Sequence, residues 1–244
     1  MTEWQFLIAR LRDGFGALSL EARLARLRAA VDGRIVFTSS LGLEDQAISH
    51  AIFAQALDIE VVTLDTGRLF PETHELWAAT EARYGRRIVS FHPEATALAA
   101  LIARQGVNGF YESVEKRKAC CFARKVEPLD RALADAAVWI TGLRAEQAPS
   151  RTALSFLERD AARGLIKANP LLDWSRERLA AYIAEHAIPY NALHDKGFPS
   201  IGCQPCTRAI KPGEDIRAGR WWWENEDGKE CGLHNRPAQK DAAA

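Results

Sequence analysis

Between Arg34 and Thr141 the chain alternates short β-branched, aromatic runs with stretches of helical period, and few folds satisfy that order. Ser19–Val31 places Leu20, Leu24, Leu27 and Val31 at helical spacing behind Ser19, a good N-cap. Arg34–Thr38 then reads as a buried strand, Leu43–Ala56 as a helix and Glu60–Leu64 as a second strand. Pro71–Tyr84 is predicted helical, with proline in its first turn. Arg87–Phe91 reads as a strand, Glu94–Arg104 as a helix and Ala137–Thr141 as a fourth strand; a helix opening at Cys120 and running to about Leu133 precedes it. This order predicts an α/β fold, a parallel sheet with helices on both faces.

Beyond residue 143 the pattern weakens. Arg144–Arg151 reads as a polar loop, Leu165–Asn169 as a fifth strand and Ser175–His186 as a helix. Gly197–Gly219 is broken by glycine and proline, so something other than its own packing must organise it. Glu224–Ala244 is polar and ends in Asp-Ala-Ala-Ala, and is predicted to be a mobile tail. The expected division is one α/β domain over 1–223 and a tail over 224–244, without internal repeats.

Thirty-two basic residues balance thirty-two acidic ones over 244 residues, so no global field draws the chain to nucleic acid or a membrane. The basic residues are bunched instead, at 116–125 and at Arg208, Lys211, Arg217 and Arg220, a pattern suited to a small anionic ligand. The N-terminus lacks the basic and apolar regions of a signal peptide. Ala97–Ala103, the longest apolar run, is far too short to span a bilayer. These features predict a cytosolic protein, where thiols stay reduced and clustered cysteines signal metal or catalysis.

The cysteines number five: an adjacent pair, Cys120 and Cys121, a Cys-x-x-Cys set, Cys203 and Cys206, and Cys231 near the end. Two clusters of two supply four soft ligands for zinc or an iron–sulfur cluster. Adjacent cysteines strain the peptide if both must meet one zinc ion. A cluster gives each its own iron, which favours the cluster. Lys125, four residues after Cys121, is placed one helical turn away, where a cation would stabilise the cluster or an anionic substrate. Cys231 lies among charges and glycine, and Lys229 and His234 are positioned to lower its pKa, the mark of a reactive thiolate.

Thr38-Ser39-Ser40-Leu41-Gly42 follows the first strand and enters a helix, presenting hydroxyls and backbone N–H groups to an anion. Neither a Walker A nor a Rossmann glycine pattern is present. Asp65 and Thr66, at the end of the second strand, are placed to read a ribose or a base edge, or else simply to turn the chain.

Ser-Ser-Leu-Gly-Leu-Glu-Asp-Gln, Leu-Asp-Thr-Gly-Arg-Leu-Phe-Pro-Glu-Thr, Cys-Cys-x-x-Arg-Lys-Val-x-Pro-Leu, Gly-Leu-Arg, Gly-Cys-x-Pro-Cys-Thr, Arg-Ala-Gly-Arg-Trp-Trp-Trp-Glu and Glu-Cys-Gly-Leu-His occur in that order. Together they resemble the assimilatory sulfonucleotide reductases, and among them the bacterial adenylylsulfate (APS) type. The resemblance implies an adenine-nucleotide α-hydrolase-like fold and one 4Fe–4S cluster on Cys120, Cys121, Cys203 and Cys206. It implies Cys231 as nucleophile with His234 beside it, and Ser39 and Ser40 in the sulfonucleotide loop. Lys125, Arg217 and Arg220 would face the phosphosulfate, and Arg144 and Arg151 lie in the family's basic loop. A separate thioredoxin is expected as reductant, because no redox domain follows Cys231. Three other readings compete: the same chemistry on phosphoadenylylsulfate (PAPS), an ATP pyrophosphatase, and a non-catalytic metal module. Leu41 and Leu43 are expected to crowd the loop against a diphosphate, which weighs against the pyrophosphatase.

Overall fold

The computed structural model describes residues 3–147, 151, 153–224 and 233. Its strands are β1 (Arg34–Ser39), β2 (Glu60–Leu64), β3 (Val89–Phe91), β4 (Ala136–Ile140), β5 (Leu157–Asp160) and β6 (Leu165–Ala168). Its α-helices are α1 (Glu3–Arg12), α2 (Leu20–Ala30), α3 (Leu43–Ala54), α4 (Pro71–Tyr84), α5 (Ala95–Gln105), α6 (Val114–Cys121), α7 (Glu127–Ala132) and α8 (Arg176–Glu185). The sheet order is β3-β2-β1-β4-β6-β5. β1 pairs in parallel with β2 and β4, and β4 with β6. β5 is antiparallel to β6, so the sheet is mixed rather than wholly parallel. Among the described residues no helix is long and apolar enough to cross a membrane.

The chain folds into two compact units. The first comprises Met1–Thr63, Leu76–Val89 and Leu133–Tyr190; the second comprises Leu64–Glu75, Ser90–Ala132 and the chain from Asn191 onward. In the first unit Ile35 and Phe37 of β1 and Val138 and Ile140 of β4 share a buried core with Leu20, Leu24 and Leu27 of α2 and Ile48 and Ile52 of α3. The Ser19 cap falls where the sequence placed it, and Ser175 caps α8 in the same way. Ser19 Oγ accepts from Ala22 N at 3.2 Å and Ser175 Oγ from Arg178 N at 3.1 Å. β1 is central, with β2 on one side and β4 on the other. The chain thus reverses direction of growth between β1 and β4, the point where open α/β sheets bind ligands beyond their strand ends.

A charged side chain is built into this core. Arg23 of α2 is fully buried, and it donates to Phe15 O, Gly16 O and Pro170 O as well as to both carboxylate oxygens of Asp173, at 2.6 and 2.8 Å. Its guanidinium lies 4.8 Å from the Phe156 ring centroid. Arg23→Leu is expected to cost about 3 kcal/mol by urea unfolding, because buried carbonyls lose their donor. Partial burial would raise the Asp173 pKa, but the Arg23 bonds and charge outweigh it and hold the carboxyl below its ordinary value. This contribution is present at neutral pH and is lost as pH falls through that lowered pKa. Wild-type stability should therefore lose this increment on acidification and the variant should not.

Candidate active site

In the first unit, β1 runs into the turn Ser39–Gly42 and then α3. Leu41 adopts φ +61°, an uncommon conformation for a branched side chain, and it points into the core, 2% exposed. Leu41 therefore turns the loop from beneath. The expectation that it crowds the anion side is corrected, because apolar burial pulls the side chain the other way.

The loop is clamped from within. Asp45 Oδ2 accepts from Ser40 N at 2.6 Å and from Ser40 Oγ at 2.7 Å, and Ser39 Oγ accepts from Leu41 N at 3.1 Å. Burial pushes the Asp45 carboxyl up to about 6, while the Ser40 bonds pull the other way. Gly142, just beyond β4, covers this carboxylate: a Cβ there would lie 2.2 Å from Asp45 Oδ1 and 3.1 Å from Glu44 Cβ. Gly142→Ala is expected to destabilise the fold by about 1–3 kcal/mol in urea unfolding, since either the carboxylate or the strand end must move.

Arg144 follows on the same segment. It is buried, and donates to Glu44 Oε1 and Glu146 Oε2, each at 2.8 Å, and to Trp174 O at 3.1 Å. Arg151 bonds Gln147 Oε1. Arg144 is thus held in place by acidic partners on both sides.

The second unit gathers the four cysteines. Cys120, Cys121, Cys203 and Cys206 line one cavity of about 410 Å³, counting its open mouth. The first pair closes α6; the second sits on a short 3-10 turn, Gln204–Cys206, and its preceding residue. The expected helix opening at Cys120 is corrected. α6 ends with the pair, a π-helical turn spans Phe122–Val126, and α7 follows. Such turns insert a residue into a helix and recur at functional sites. Here it carries Arg124 and Lys125, and both line the cavity.

Five cations, Arg68, Arg117, Arg124, Lys125 and Arg220, line this cavity, and no carboxylate lines it among the described residues. Arg124 Nη1 donates to Thr66 O at 2.6 Å, and Thr66 Oγ1 lies 3.3 Å from Cys203 Sγ. Thr66 thus belongs to the cysteine site. Asp65 turns the chain, accepting from Gly67 N at 2.9 Å, with His74 Nε2 at 3.4 Å. Burial and the neighbouring thiols push Cys206 up to about 12, and nearby Lys125 opposes them. Burial likewise raises Cys120. Four soft donors wrapped in positive charge fit a thiolate-bound metal cofactor of net negative charge. Among the described residues no three His, Cys, Asp or Glu side chains form a group that could hold a single metal ion.

Arg220 Nη1 reaches Ser200 Oγ and Ile201 O, each at 3.2 Å, and its guanidinium lies 4.9 Å from the Trp221 ring centroid. Arg217 N donates to Asp215 Oδ1 at 2.8 Å. Of the Trp-Trp-Trp run, Trp221 is buried against the cysteines and Trp222 is exposed. Sequence reasoning gave no role to Arg68, although it lies in Leu-Asp-Thr-Gly-Arg, and singled out neither Arg117 nor Arg124 within the basic run around the cysteine pair. Cys231 and His234 lie outside the described residues.

A sequence profile of the phosphoadenosine phosphosulfate reductase domain matches residues 34–209. Similar proteins include an adenosine 5′-phosphosulfate reductase of Sinorhizobium fredii, 57% identical over 92% of this chain and 89% of its own. A protein of that name from Allochromatium vinosum is 55% identical over 83% of this chain and 79% of its own. Among solved structures, the phosphoadenylyl-sulfate reductase of Candida auris superposes with a TM-score of 0.71 at 27% identity, covering 86% of this chain and 98% of that one. Yeast FAD synthetase shares the fold at a TM-score of 0.55 and 17% identity, covering 86% of this chain and 69% of that one.

Proposed function

Because the chain belongs to the phosphoadenosine phosphosulfate reductase family, we propose that it reduces adenosine 5′-phosphosulfate to sulfite and AMP in sulfate assimilation toward cysteine. The observation that carries this reading is the cavity of four thiols ringed by five cations. The choice of APS over PAPS is supported by relatives that carry the APS name at 49–57% identity, against 27% for the PAPS reductase structure.

In this reading Cys120, Cys121, Cys203 and Cys206 hold one 4Fe–4S cluster. When bound, it supplies a negative charge and a rigid tie between the end of α6 and the Gln204–Cys206 turn. Ser39 and Ser40 serve the sulfonucleotide loop. Asp65 and Thr66 would read the ribose or a base edge, and Arg144 and Arg151 supply the basic loop. Lys125, Arg217 and Arg220 neutralise the phosphosulfate. The Cys231 thiolate, with His234 beside it, attacks the sulfate sulfur. The bond from sulfur to the phosphate oxygen breaks and AMP leaves with its electron pair, giving S-sulfocysteine. A thiolate of reduced thioredoxin attacks Cys231 Sγ and expels sulfite. The second thioredoxin thiol resolves the mixed disulfide, so the dithiol supplies both electrons. Residues 1–223 act as the nucleotide and cluster unit, and 224–244 bring the nucleophile.

The test is sulfite formation by freshly purified protein with reduced thioredoxin, comparing kcat/KM for APS and PAPS. A higher value for APS is expected, with about four iron atoms per chain. Absence of sulfite, or pyrophosphate release from ATP, overturns the reading. Equal values for the two nucleotides would overturn only the preference for APS.

A further inference from the structure

Arg117 lies on α6 and Glu224 closes the described segment after the tryptophan run. Arg117 Nε and Nη2 donate to Glu224 Oε1 and Oε2 at 2.8 and 2.7 Å, a bidentate pair whose side chains are 0% and 6% exposed. The guanidinium lies 4.7 Å from the Trp221 ring centroid and also interacts with the Cys121 thiol. A pair this deep is far costlier to break singly than to omit, so it holds its two segments together.

Both cysteine pairs reach the same short stretch. Trp221 N donates to Cys206 O at 3.1 Å, Thr207 and Arg220 form an isolated antiparallel bridge, and Glu224 N donates to Trp221 O at 2.9 Å. The Cys-x-x-Cys turn is thus joined to residues 220–224 through backbone, and the adjacent pair through Arg117. Cys231 follows Glu224 by seven residues, a tether of at most about 25 Å when fully extended. Wherever Glu224 is fixed, the reach of Cys231 is fixed with it.

We propose that Arg117 and Glu224 are positioning residues that latch the root of the Cys231 segment to the cysteine-pair helix. The placement of the nucleophile thereby depends on an assembled cysteine site. This rests on the reading of Cys231 as nucleophile, and it gives the cysteine site an influence on catalysis that requires no electron transfer. Only the geometry of attack is served, so the latch acts on kcat and leaves KM nearly alone.

The experiment uses iron-loaded, full-length Glu224→Gln, Glu224→Asp and Arg117→Lys proteins beside wild type. APS is added without reductant, and S-sulfocysteine on Cys231 is followed by intact-protein mass. Trypsin cleavage at Lys229 is timed separately, as a readout independent of turnover. Glu224→Gln and Arg117→Lys are expected to keep iron content and KM, to form the adduct at least about tenfold more slowly, and to be cut faster at Lys229. Glu224→Asp, which keeps the charge, should recover part of the rate. Wild-type rates and cleavage in both variants overturn the latch, and so does a slow rate that follows iron loss in proportion. A wild type that forms no adduct on Cys231 instead overturns the underlying reading, so the two failures are distinguishable.

Discussion

Cys231→Ser is expected to abolish sulfite formation while leaving iron content and nucleotide affinity as in wild type. The reason is chemical. At neutral pH a serine hydroxyl is almost wholly protonated, whereas a cysteine thiol ionises far more readily, and thiolate is the nucleophile. No described thiol is placed to substitute: the other four line one cavity, where burial raises Cys120 and Cys206. Loss of at least about 10³-fold in kcat is expected, as when a covalent nucleophile is removed elsewhere. Intact-protein mass after APS addition should show the sulfonate adduct on wild type and none on the variant. A variant that still accumulates an adduct, or still releases sulfite, would assign the chemistry to another residue.

How far the chain was legible depended on whether local chemistry or tertiary context set each element. β2 and α4 fall where pattern placed them, because Glu60–Leu64 is a β-branched run and Pro71 can open a helix but not continue one. β5 was not foreseen. Leu-Glu-Arg-Asp has three charged residues and one apolar one, and only pairing with β6 and burial of Leu157 make it a strand. α1 was missed as well, although Ile8 and Leu11 are buried in the core, because charged neighbours mask the apolar stripe. The π-helical turn at Phe122–Val126 leaves no propensity signal, since it differs from an α-helix in hydrogen-bond register rather than residue type. At the site, cysteine spacing was enough to pair the two clusters. It gave no sign that Thr66 would join them, a contact made across 137 residues of chain. Nor did it reveal the clamp of Asp45 on Ser40, for which Gly142 must lack a side chain.

Cys121→Ser should have the second large effect, and on a different observable. Serine is a hard, weakly acidic donor that cannot replace a soft thiolate on iron, so cofactor absorbance and iron content are expected to fall together. The consequences should extend past the lost ligand, because of the charge around the cavity. Arg68, Arg117, Arg124, Lys125 and Arg220 face the same space without a lining carboxylate among the described residues; Glu224 pairs with Arg117, and in the proposed reading an anionic cofactor would offset the positive charge that remains. Without it, their mutual repulsion acts on the joins that organise this unit, including the bond from Arg124 to Thr66 O and the short turn that carries Cys203 and Cys206. Binding free energy of the cofactor is folding free energy here, so the variant should melt at lower temperature than wild type. Added salt should narrow the gap by screening the cations. Arg23 and its partners lie in the other unit, and Arg23→Leu should lower stability without loss of iron. A Cys121→Ser protein that keeps its iron and its melting temperature would remove Cys121 from the ligand set, and a wild type that binds stoichiometric zinc and no iron would replace the cluster altogether.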